Sequence, residues 1–167
     1  MSIQQETVET PVAGEPARLP LKPLHGAAYK AAIAMSKAAA EGLDPIVVEL
    51  IKIRASQING CAYCVDMHTK DARELGETDQ RMLAIPVWRE TPFFTARERA
   101  VLALTEAVTL VTEAHVPTPI WDEAARWFDD VEMAQIVWSI AAINTLNRVG
   151  VASRAWIAGT YRPDLAR

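Results

Sequence analysis

Cysteine is almost missing: the 167 residues hold two, Cys61 and Cys64. With no third or fourth thiol, a structural zinc site would have to borrow His25 or His115 and a carboxylate, and no His-rich motif supplies them. Positive charge is also short, with 17 Lys+Arg against 21 Asp+Glu and a formal net charge of -4. No basic field is therefore available to hold nucleic acid or an anionic membrane. Long apolar runs are absent as well. Nowhere do about 18 consecutive apolar residues occur, and "MSIQQETVETPVAGEPARLP" lacks the basic start and apolar stretch of a leader. The expectation is a soluble, cytoplasmic protein with no nucleic-acid or membrane partner. In that reducing compartment a lone cysteine pair is more often a redox or metal site than a structural clip.

What is present is helical. At 167 residues and 18.4 kDa the chain suits a single domain. Residues 1–20 hold three of the ten prolines with little periodicity, the pattern of an extended arm, and residues 21–167 form the domain. "KPLHGAAYKAAIAMSKAAAEG" is an alanine-rich helix closed by Gly42. Asp44-Pro45 cap and start a second helix, with Ile46, Leu50 and Ile53 as its apolar stripe, and Asn59-Gly60 ends it. A third helix runs from about Cys61 to Leu75, its residues Asp66, Lys70, Arg73 and Glu74 facing solvent. "TDQRMLAIPVWRE" is a short helix disturbed at Pro86. In "TARERAVLALTEAVTLVTEA" Thr95 and Glu98 make a capping box, and Val101, Leu104, Val108 and Val111 make a core face. "TPIWDEAARWF" and "VEMAQIVWSIAAINTLNRVGVASRAW" complete an all-α bundle of six to eight helices. The asparagines and arginine of "NTLNR", Asn144, Asn147 and Arg148, suit a buried hydrogen-bond network or a subunit contact. The five tryptophans suit core and interface anchors.

The chemistry gathers in "VELIKIRASQINGCAYCVDMHTKDARELG". At about 100° per residue the offsets 0, 3 and 7 put Cys61, Cys64 and His68 inside a stripe about 60° wide. Ala72 and Leu75 continue it, so the stripe points inward. The cysteines fall in the first turn after Asn-Gly, where free N–H groups and the helix dipole favour thiolate. His68 can take the proton of Cys64, and two thiols three residues apart can close a disulfide after one is oxidised. Glu49, one helix earlier, can orient His68 if the Asn59-Gly60 turn folds the helices together. Ser56 and Tyr63 are possible pocket residues. Attachment of c-type haem would need His after the second cysteine, and Val65 stands there.

Glu49, Cys61, Tyr63, Cys64, His68 and Ala72, with "FTARERAVLALTEAVT" and "INTLNRVGVASR" further on, resemble the AhpD-like alkylhydroperoxidases of the carboxymuconolactone decarboxylase superfamily over roughly residues 20–160. The resemblance implies an oligomeric AhpD-like bundle acting as a thiol-dependent peroxidase on organic or hydrogen peroxides, without a cofactor or metal. It assigns attack on the peroxide to Cys64, resolution to Cys61 and the proton relay to His68 and Glu49. It implies an external dithiol reductant, a lipoyl protein or a thioredoxin-like one. Position on the helix alone nominates Cys61 as the more acidic thiol, so helix position and family resemblance name different nucleophiles. Better-studied AhpD proteins carry His before the second cysteine, where this chain has Tyr63. The alternatives are a carboxymuconolactone-type decarboxylase, which needs acid–base groups and no dithiol, and a non-catalytic thiol redox sensor or disulfide relay.

Overall fold

The computed structural model describes residues 14–163. Among the described residues there are eight α-helices and no strand. They are α1 (Leu21–Ala40), α2 (Pro45–Ile58), α3 (Ala62–Glu74), α4 (Asp79–Ala84), α5 (Ala96–Thr109), α6 (Val111–Ala114), α7 (Thr118–Ala125) and α8 (Asp130–Ser153). A 3₁₀ segment, Ile85–Glu90, follows α4 where Pro86 removes an amide donor. The all-α expectation holds. Of the proposed N-terminal arm, residues 14–20 are free of helix, with Arg18 and Leu19 amides donating to the Ser153 carbonyl at the end of α8. The rest of the arm lies outside the described residues.

Boundaries follow local chemistry. The Asp44 carboxylate accepts from the Ile46 and Val47 amides ahead of Pro45, and Thr95 with Glu98 forms the capping box of α5. Gly42 (φ +91°) turns the chain out of α1, a backbone conformation that a Cβ disfavours. A break at Leu110 ends α5 early, and Val111, expected in the core, is 44% exposed on α6. Leu75 departs from expectation for a similar reason. The α3 helix stops at Glu74, Leu75 becomes its C-cap before Gly76 (φ +95°), and its side chain turns outward, 48% exposed.

α2 is the central element, packed on α3, α5 and α8. One side carries Val47, Ile51 and Ala55 into a core with Val101, Leu104, Ile136 and Ile140. The other carries Leu50 and Ile53 against Ala72, Ile85, Trp88 and Leu102. A helix covered on both sides needs apolar residues nearly all round, so the Ile46, Leu50, Ile53 stripe is one part of a wider buried surface. The alanine-rich α1 lies along α8, and of its residues only Ala39 is buried.

Candidate active site

The connection between α2 and α3 is clamped from outside by polar side chains of α8. Asn59 donates through Nδ2 to Asn144 Oδ1 (2.9 Å) and Asn147 Oδ1 (3.0 Å). Asn147 donates to Ser56 Oγ (3.0 Å), and Asn144 to Thr109 Oγ1 (3.1 Å). Arg148 closes the set with a 2.7 Å bond to Asn144 Oδ1. These groups are satisfied by one another, which removes the desolvation cost of burying Ser56 and Asn147, both fully inaccessible. The expected network is therefore real, and it holds the turn that presents the cysteines. Ser56 belongs to this network through its hydroxyl and is absent from the walls of both cavities beside the cysteines. Its backbone carbonyl receives the Cys61 amide (3.0 Å).

Cys61 is the N-cap of α3 rather than a residue of its first turn, with extended dihedrals (φ -84°, ψ 91°). Its Sγ accepts from the Cys64 amide (3.4 Å). This is the N–H contact by which a helix N-terminus stabilises sulfur carrying negative charge. Cys61 and Cys64 are joined in a disulfide, their Cα atoms 5.3 Å apart. Both are buried, at 3% exposure each.

His68, one turn beyond Cys64, is buried with Nδ1 2.8 Å from Glu49 Oε2. The Glu49 carboxylate also takes the Lys52 ammonium at 3.0 Å. Burial pushes Glu49 upward, yet the hydrogen bond and charge of His68, with Lys52, outweigh it and hold the carboxyl below its ordinary value. The Glu49 carboxylate, so placed, fixes the orientation of the imidazole. Glu49, His68 and Asp71 bring three possible metal-ligand atoms within 4.8 Å of one another. Lys52 already neutralises Glu49, and Asp71 accepts from the Tyr161 hydroxyl at 2.7 Å, so both carboxylates are partnered by protein groups.

The segment after α8 covers α3. Gly159 donates its amide to Asp66 Oδ2 (2.9 Å), and Lys70 donates to the Tyr161 carbonyl (3.2 Å). That contact explains why Asp66 and Lys70, expected on a solvated face, are half-buried. The same segment places Trp156 between Tyr29 and Tyr63, with ring centroids 5.7 and 5.9 Å away. Trp156 was legible only as one of five tryptophans, and three of the others, Trp121, Trp127 and Trp138, are largely exposed. A signal did exist in Gly150. A glycine inside an apolar helix needs a packing reason, and here an added Cβ would stand 3.1 Å from the Trp156 ring and 3.5 Å from Cys61 Sγ. Tyr63 lies at the Trp156 ring, and burial, followed by the Tyr29, Asp66 and Asp71 charges, raises its phenol above the ordinary value. At neutral pH it is an O–H group, unable to take a thiol proton as an imidazole does.

Known proteins resemble this chain in sequence and in fold. The sequence matches the carboxymuconolactone decarboxylase family profile over residues 26–107. It is 43% identical over 104 residues to the uncharacterized protein YdfG of Bacillus subtilis, covering 62% of this chain and 71% of that one. A shorter stretch of 66 residues is 39% identical to the alkyl hydroperoxide reductase AhpD of Solibacter usitatus, covering 40% of this chain and 37% of that protein. The crystal structure of a protein of unknown function from Agrobacterium tumefaciens, for which AhpD-type antioxidant defence has been suggested, superposes with a TM-score of 0.82 and 38% identity over 85% of this chain and 98% of that one. Helical architecture and sequence agree, and the chain belongs to the carboxymuconolactone decarboxylase family.

Proposed function

We propose that the protein is a thiol-dependent peroxidase that reduces organic or hydrogen peroxides through Cys61 and Cys64. The observation that carries this reading is the shared cavity of Cys64 and His68, with His68 hydrogen-bonded in turn to buried Glu49. In the proposed cycle Glu49 orients His68 and His68 takes the Cys64 proton. The thiolate attacks the peroxide O–O bond, giving a sulfenic acid and releasing an alcohol or water. The Cys61 sulfur then attacks the sulfenic sulfur, the S–O bond breaks as the disulfide forms, and the hydroxide leaves as water with the proton given up by Cys61. An external dithiol, lipoyl-borne or thioredoxin-like, returns the pair to the reduced state. The cycle calls on no metal or other cofactor. Turnover is the test: purified protein with dihydrolipoamide or thioredoxin should consume cumene hydroperoxide or hydrogen peroxide catalytically. A single stoichiometric oxidation without turnover would support a sensor instead.

The protein is also proposed to work as a homo-oligomer. Trp138 (59% exposed) and Val131 (67%) stand on α8 next to Met35 and Ala38 of α1, an apolar face that supports this reading. Light scattering should return a multiple of 18.4 kDa. Among the described residues no helix is long and apolar enough to cross a membrane.

A further inference from the structure

The two sulfurs of the disulfide open on different spaces. Cys64 lines a cavity of about 60 Å³, closed in by Ile33, Met67, His68, Ile143 and Leu146. That is room for a few water molecules, or for the O–O group of a peroxide. Cys61 lines a separate cavity of about 390 Å³, bounded by Gly60, Val151, Arg154 and Ala158 among the described residues. Tyr63 and Trp156 line both, and so form the wall between them.

We propose that the reductant enters by the Cys61 cavity and attacks Cys61 Sγ, while peroxide meets Cys64 on the other side of the Tyr63–Trp156 wall. The proposal rests on the dithiol cycle above and adds its direction. A dithiol carried on an arm or on a protein surface needs the larger cavity, and the smaller one has no room for it.

Each step then has a stabilised leaving group. In the first, a reductant thiolate forms a bond to Cys61 Sγ, the Cys61–Cys64 bond breaks, and its electron pair stays on Cys64 as thiolate beside His68. In the second, the other thiolate of the reductant attacks its own partner sulfur and closes the reductant's disulfide. That expels Cys61 as thiolate, which receives the Cys64 N–H at the N-cap. The reductant loses two electrons and two protons, and the protein pair gains them. His68 thus serves Cys64 and the helix N-terminus serves Cys61, in successive steps, so each cysteine has its own activating feature.

The test oxidises the full chain with diamide, so that it does not depend on any peroxide activity. The disulfide is then mixed with excess 2-mercaptoethanol, quenched with acid and N-ethylmaleimide, and mapped by peptide fragmentation. The expected result is 2-mercaptoethanol on Cys61 and maleimide on Cys64, at least tenfold over the reverse. The reverse distribution, or equal adducts, overturns the proposal. In parallel, Val151→Trp should narrow the Cys61 cavity from a position that is 44% exposed and tolerant of bulk, and Ile33→Trp should narrow the other. Reduction of the diamide-formed disulfide by dihydrolipoamide should slow at least fivefold more in Val151→Trp than in Ile33→Trp. An equal or opposite effect, with unchanged circular dichroism, overturns it. Failure of the peroxidase reading would show separately, as absent peroxide turnover in the unaltered protein.

Discussion

α2 and α3 are joined by three residues and each supplies part of the candidate site, yet they live in different surroundings. α2 buries Val47, Val48, Glu49, Leu50, Ile51, Ile53, Ala55 and Ser56, while α3 buries only Cys64, His68 and Ala72. The central helix therefore has to match every polar group it buries, which Lys52 and His68 do for Glu49 and Asn147 does for Ser56. The outer helix places Cys64 and His68 beside one cavity and, at its N-cap, Cys61 beside another. A carboxylate on one helix thus orients an imidazole on the other. Division of labour between support and access is what the pair teaches.

The largest expected effect falls on the outer helix. Cys64→Ser should reduce peroxide turnover to the uncatalysed background, while Cys61→Ser leaves Cys64 able to form a sulfenic acid trapped by a dimedone probe. The opposite pattern would make Cys61 the attacking thiol. Second in size is a contrast in stability measured by urea unfolding. Ile53→Ala on α2 should lose about 2–5 kcal/mol, since the side chain is fully buried. Leu75→Ala at the end of α3 should change stability by about 0.5 kcal/mol or less. Equal losses would erase the distinction between the helices.

A smaller effect links the two. In the reduced protein, His68→Gln should move the Cys64 thiol pKa toward about 8.5 and slow alkylation at neutral pH by about tenfold per unit of that shift. Glu49→Gln should act in the same direction, and the double variant should lose little more than His68→Gln alone. Additive losses would give Glu49 a separate contact with the chemistry. The smallest effect is on stability against pH. Because the Glu49 carboxyl is held below its ordinary value, its contribution is complete above about pH 4.5. It is lost as pH falls through the lowered folded value. The stability difference between the unaltered protein and Glu49→Gln should be flat near neutrality and shrink in acid, and a difference independent of pH would show that the ionised carboxylate is not what stabilises the fold.

Most helix boundaries were legible because they are local. Asp44-Pro45, Gly42, Asn59-Gly60 and the Thr95–Glu98 box act on amides within a few residues, and the structure uses each of them. The misreadings at Val111 and Leu75 share a cause: periodicity extends a stripe past the point where the helix has stopped. Asp66 and Lys70 were misplaced for a different reason. Their cover comes from residues 159–161, about 90 positions away, and no helical spacing reports it.

The sequence by itself determined an all-helical chain, the helical face shared by Cys64 and His68, and the two thiols as its redox-capable pair, because helical angle and side-chain chemistry depend on neighbours along the chain. Only the tertiary structure decided that Glu49 reaches His68, that asparagines of α8 hold the turn, and that Trp156 with Tyr63 separates a small cavity at Cys64 from a larger one at Cys61. Those relations depend on how α2, α3, α8 and the segment after α8 pack, and packing joins residues through space that sequence distance does not encode.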